Sequence, residues 1–161
     1  MPLTRDQDLA DLLGRTRTIA LIGASDRPDR PSHDVMAFLQ RHGYRVIPVN
    51  PMITGQHVLG EYVWRDLGQI GEPIDLVDVF RNSAAAGAAV DQAIAAGAKA
   101  VWLQLGVVDE AAAARAEAAG LEVVMDRCPK IEIQRLGLPP VPGDGWAKSR
   151  RATPRRRAAA P

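Results

Sequence analysis

The chain has 161 residues, 47% hydrophobic and 24% charged, enough for one domain with its own core. A single cysteine excludes an internal disulfide, and no apolar run reaches the roughly 18 residues of a membrane-spanning helix. The formal net charge of +1 hides an asymmetry: from Lys148 on there are six basic residues and no acids, leaving 14 basic residues against all 19 acids elsewhere.

The opening "MPLTRDQDLADLL" is polar and acidic, unlike a secretory signal, and predicts a short helix over 4–14. With the lone Cys128, it leads to the expectation of a soluble, cytoplasmic protein. Five β-runs follow: "TIALIG", "RVIPVN", "DLVDVF", "AVWLQL" and "LEVVMD". Several are nearly continuous hydrophobic stretches, as in strands covered on both faces. Aromatics are only 4%, so Val, Ile, Leu and Ala fill most of the core.

Between the runs, a helical pattern ending in glycine recurs at Gly43, Gly97 and Gly120, the position past a helix end that tolerates positive φ. Ser83 and Asp109 are placed to cap the helices that follow them. The stretch "TGQHVLGEYVWRDLGQI" predicts a short edge strand near Val58 and a helical turn near 66–70. Strands alternating with helices predict an α/β fold with right-handed crossovers: a single doubly wound, mainly parallel sheet of about five strands with helices on both faces. The domain is expected to end at 136. Residues 137–161, rich in Pro, Gly, Arg and Ala, read as a flexible basic tail. Nothing aromatic is interleaved with its arginines, so nucleic acid is not the expected partner.

"GASDRPDRPSH" after the first strand carries the chemistry. In such sheets, ligands bind beyond the carboxyl ends of the strands, and the first turn offers backbone N–H groups and a helix N-terminus to phosphate. Gly23 permits close backbone approach, Ser25 and Ser32 supply hydroxyls, and Arg27 and Arg30 supply charge. Pro28 and Pro31 restrict the loop. The turn lacks the full G-x-G-x-x-G pattern, and a plain strand-to-helix turn is the competing reading. The second strand ends in Asn50 and Pro51, where NAD sites usually carry an acid for the ribose, so NAD is disfavoured.

"IALIGASDRPDRPSH", "YRVIPVNP", "VLGEYVWRDL", "IDLVDVFR", "GAKAVWLQLGV" and "VVMDRCPKIE", in that order, resemble the stand-alone coenzyme A-binding protein family. That family is Rossmann-like and related to the CoA-binding domain of succinyl-CoA synthetase α and of ADP-forming acyl-CoA synthetases. The resemblance implies coenzyme A, or an acyl-CoA, as the small-molecule ligand. Gly23, Ala24 and Ser25, with Arg27, are implied for the phosphates, and Asn50 and Pro51 for the adenosine end. Phe80 and Arg81 are implied as a wall of the cleft, and Leu103, Gln104 and Gly106 as the next strand end. A homo-oligomer or a synthetase-type partner is compatible with it.

No nucleophile elbow, Walker loop or metal-ligand spacing appears, and neither a phosphohistidine nor an ATP-grasp domain is found. Binding without catalysis is therefore the first reading. The alternatives are an NAD(P)-binding oxidoreductase-type protein and a CoA-site subunit of a larger acyl-CoA synthetase. Cys128, between Arg127 and Lys130, reads as a partly buried structural cysteine, with a charge-stabilised thiolate able to form a mixed disulfide as its reactive alternative.

Overall fold

All five β-runs become parallel strands, and their continuous hydrophobicity has the expected cause: both faces are covered. A computed structural model describes residues 1–143. Numbered in chain order, the strands of the main sheet are β1 (Thr18–Ile22), β2 (Arg45–Val49), β5 (Leu76–Val79), β6 (Ala100–Leu103) and β7 (Glu122–Val124). They lie in the order β2-β1-β5-β6-β7. The residues expected as an edge strand near Val58 form instead a separate two-stranded antiparallel hairpin, β3 (His57–Val58) with β4 (Glu61–Tyr62), and a 3-10 turn at Leu67–Gln69 fills the anticipated helical turn.

One further contact completes the topology. Trp64 forms a single parallel bridge to Val49 on the free side of β2, its N–H donating to Pro48 O (3.0 Å) and its carbonyl accepting from Asn50 N (2.9 Å). The chain thus runs from β1 outward through β2 to Trp64, then crosses back to place β5 on the other side of β1. Counting Trp64 as a one-residue strand, this is the 3-2-1-4-5-6 order of dinucleotide-binding sheets, and it reverses direction between β1 and β5.

The helices are α1 (Asp6–Arg15), α2 (Pro31–Arg41), α3 (Ser83–Ala95), α4 (Glu110–Ala118) and α5 (Pro129–Leu136). Leu9, Leu13, Met36, Leu39 and Ile133 of α1, α2 and α5 pack with Ile19, Leu21 and Trp102 on one face. On the other, Ala86, Ala89, Val90, Ala112 and Ala116 of α3 and α4 pack with Ala20, Val77, Val101 and Leu103. Small residues there let helix and sheet backbones approach closely.

Asp109 caps α4 as expected, accepting from Ala112 N (2.9 Å). For α3 the cap is Asn82, not Ser83: Asn82 Oδ1 accepts from Ala85 N (2.9 Å). Ser83 is already helical, and its hydroxyl accepts from Val108 N (3.0 Å), joining the starts of two loops. Packing continues past α5, where Val141 is buried and its N–H donates to His42 O (2.9 Å). Of the segment read as a basic tail, residues from 144 on lie outside those described. No helix among the described residues is long and apolar enough to cross a membrane.

Candidate functional site

The sheet reverses direction between β1 and β5, and the chain is pinched there. Phe80 N donates to Ile22 O (2.8 Å), and Gly23 N donates to Val49 O (2.9 Å). Gly23 has φ +88°, and a Cβ on it would stand 2.1 Å from Phe80 O. Only glycine fits both conditions. The close approach of the neighbouring strand is thus by itself enough to require glycine at this position.

Two adjoining hollows open at this edge. The first, about 290 Å³, is lined by Gly23, Ala24, Ser25, Asp26, Arg30, Pro31, Ser32, Asn50, Ile53 and Phe80. Seven predicted site residues meet here. Ser25 Oγ accepts from Arg27 N (3.1 Å), which leaves its own proton to donate. Ser32 lies in the first turn of α2, where Pro31 has no N–H and those of His33 and Asp34 already donate to Arg30 O (3.1 and 3.2 Å), leaving the Ser32 N–H without a helical acceptor. Among the described residues, neither the Ser32 hydroxyl nor the Arg30 guanidinium has a protein partner. Asn50 acts as a clamp: its Nδ2 donates to Ala24 O (2.8 Å) and its Oδ1 accepts from Met52 N (2.9 Å). It ties the end of β2 to the Gly-Ala-Ser turn. Asp26 sets one negative charge against Arg30 in the same hollow.

Four predicted residues line neither hollow. Arg27 is exposed and faces Asp29 (3.4 Å). Pro51 is exposed on the turn after β2. Leu103 is fully buried in the core against α3 and α4, because its side chain takes the sheet face away from the cleft. Gly106 ties loops together: its N–H donates to Asp126 Oδ1 (2.7 Å) and its carbonyl accepts from Ser83 Oγ (3.3 Å).

The second hollow, about 570 Å³, shares Pro31 and Phe80 with the first. Predicted Arg81 and Gln104 line it, together with Asp34, Val35, Leu105, Val107, Cys128, Lys130 and Ile131. Leu105 and Ile131 are about half exposed. The sequence signal for them was present but unused: "LQLGVV" and "CPKI" stay aliphatic beyond the strand ends, where loops are usually polar.

Beside Gln104, at the end of β5, lies Asp78, fully buried. Gln104 Nε2 donates to its Oδ1 (2.8 Å), and its Oδ2 has no partner. Burial outweighs that hydrogen bond and pushes its pKa up to about 7. Cys128 is buried, and desolvation is the leading cause raising its thiol above the usual range. The flanking charges are also engaged elsewhere, Arg127 with Glu132 (3.2 Å) and Lys130 with Asp34 (2.7 Å). The reactive alternative, a thiolate stabilised by Arg127 and Lys130, is thus disfavoured, and Cys128 is a buried cysteine.

The model of the CoA binding domain family matches residues 17–134. The chain belongs to that family. The chain is 39% identical over 124 residues to the uncharacterized protein YneT of Bacillus subtilis, spanning 77% of this chain and 90% of that one. The structure of Prb, a PH1109 protein redesigned for binding, superposes with a TM-score of 0.80 at 40% identity, covering 84% of this chain and 94% of that one. The dinucleotide-forming acetyl-coenzyme A synthetase 1 of Ca. Korarchaeum cryptofilum shares the fold at 22% identity and a TM-score of 0.60, over 72% of this chain and 27% of the synthetase.

Proposed function

We propose that this CoA binding domain holds coenzyme A across the cleft and acts as a binding module without catalysis of its own. The observation that supports this is the donor set of the first hollow. Arg30 and Ser32 present a cation and a hydroxyl that no other described protein group engages, and Ser25, which accepts from Arg27 N, keeps its proton to donate, beside the N-terminus of α2. Such a set suits the pyrophosphate of a nucleotide, because charge-assisted hydrogen bonds to phosphate are the strong ones. Asp26 sets an opposing charge and favours an arrangement in which the phosphates lie toward Arg30. The Asn50 clamp holds the adenosine side of the hollow in shape, and Phe80 with Arg81 forms the wall past which the pantetheine arm leaves. Bound coenzyme A supplies a thiol that carries acyl groups.

Calorimetric titration with CoA, NADH and NADPH tests the reading. CoA is expected to bind more tightly than either dinucleotide, and Arg30→Ala is expected to weaken it by about tenfold, one charged hydrogen bond's worth. Tight NADPH binding with no response to CoA would reverse the assignment in favour of an oxidoreductase-type protein.

A further inference from the structure

The second hollow is about twice the volume of the first, and its walls differ in kind. Val35, Phe80, Leu105, Val107 and Ile131 make it largely hydrocarbon. Its polar groups are mostly committed to one another. Lys130 Nζ donates to Asp34 (2.7 Å), and Gln104 Nε2 donates to the buried Asp78 (2.8 Å). Among the described residues only Arg81, of the charged side chains lining it, has no protein partner.

A pantetheine arm carries two amides, and each needs a donor and an acceptor if it leaves water. Placed inside this hollow, most of those groups would be unmatched, at a cost that hydrocarbon does not incur. The arm therefore fits best along the mouth, by Arg81 and the shared wall of Phe80, with whatever the sulfur carries pointing inward. The hollow adjoins the phosphate hollow, sharing Pro31 and Phe80 in its lining, so one ligand can reach into both along the sheet edge.

We propose that the preferred ligand is an acyl-CoA whose uncharged, apolar acyl group fills the second hollow, with free CoA bound more weakly. This rests on the reading of the first hollow as the CoA phosphate site. The specificity lies in the acyl group: hydrocarbon is accepted, and an acyl chain ending in a carboxylate is not, because of the two cations lining the hollow Lys130 is already paired with Asp34 and Arg81 is taken up by the pantetheine arm.

The test is a calorimetric series on the full chain with free CoA, acetyl-CoA, butyryl-CoA, hexanoyl-CoA and succinyl-CoA. Affinity is expected to rise by about fourfold per buried methylene, so butyryl-CoA binds more than about tenfold tighter than acetyl-CoA. Succinyl-CoA, as long as butyryl-CoA but charged at its end, is expected to bind at least about tenfold more weakly than it. Ile131→Glu, on a half-exposed wall position, is expected to remove most of the rise with chain length. A flat series from CoA to hexanoyl-CoA, or parity of succinyl-CoA with butyryl-CoA, overturns the acyl assignment and leaves CoA binding standing. A rise that Ile131→Glu does not change also overturns it, by placing the acyl group elsewhere. Failure of every CoA species to bind overturns the phosphate-site reading and this inference with it.

Discussion

The two hollows share a wall and a sheet edge, yet they are built oppositely. In the first, at the ends of β1 and β2, a loop leads into α2 at Pro31, and the Ser32 hydroxyl and Arg30 guanidinium line the hollow without protein partners among the described residues. In the second, at the ends of β5 and β6, the loops stay aliphatic, and the polar groups other than Arg81 are mostly satisfied within the protein. The contrast teaches that one topological switch point can serve two chemistries. Loop composition after each strand decides whether the edge attracts phosphate or hydrocarbon.

The strongest way to break the comparison is to collapse the boundary between the hollows. Gly23→Val sets a branched side chain at φ +88° and 2.1 Å from Phe80 O. It is expected to cost roughly 3 kcal/mol or more of stability and to abolish binding in both hollows; urea unfolding and calorimetry would show it. Retained stability would mean that the strand ends do not meet as described.

The next effect concerns the group beneath the second hollow. Asp78 has a folded pKa raised to about 7, and Glu61, buried near Arg45 and Glu72, has one raised to about 8, burial leading in both cases. The folded state thus holds protons that the unfolded chain releases. Stability from this source is complete below the ordinary carboxylate range, and it falls as pH rises from about 4 to 8, by a few kcal/mol. Asp78→Asn, which keeps an acceptor for Gln104, is expected to flatten the lower part of that fall in urea unfolding measured across pH. An unchanged slope would remove Asp78 as its source.

Smaller changes separate the hollows. Asn50→Ala releases the Gly-Ala-Ser turn from β2 and is expected to lower stability by about 1–2 kcal/mol while weakening CoA more than it changes the acyl increment. An equal loss across the acyl series in thermal-shift and calorimetric data is the expected signature. The smallest effect is Arg27→Ala. Its exposed pairing with Asp29 holds it off the hollow, so CoA affinity is expected to change less than about threefold, far short of Arg30→Ala. Equal losses in the two variants would mean that Arg27 swings in when the ligand arrives.

Much of this was legible in the sequence because burial on both faces leaves unbroken hydrophobic runs, and all five such runs became sheet strands. The Gly-Ala-Ser turn was legible because it breaks the hydrophobic run of β1 ahead of the proline-led helix that begins at Pro31. Leu103 was misplaced because the period-2 alternation of strands turns it away from the edge, and strand ends alone do not reveal which face looks out. Asn50 was seen as a ligand contact, whereas its amide also clamps two loops, a long-range pairing with no local signature. The apolar hollow was missed because Val35, Val107 and Ile131 come from three separate segments, and only the fold brings them together. The single-residue bridge at Trp64 is too short to leave a pattern.

The central claim is that one ligand spans both hollows, and a crystal structure with butyryl-CoA tests it most directly. The account predicts phosphates by Arg30 and Ser32, the pantetheine arm passing Phe80, and the butyryl group against Val107 and Ile131. Density for the coenzyme on another surface, or with its acyl end turned out to solvent, would contradict it.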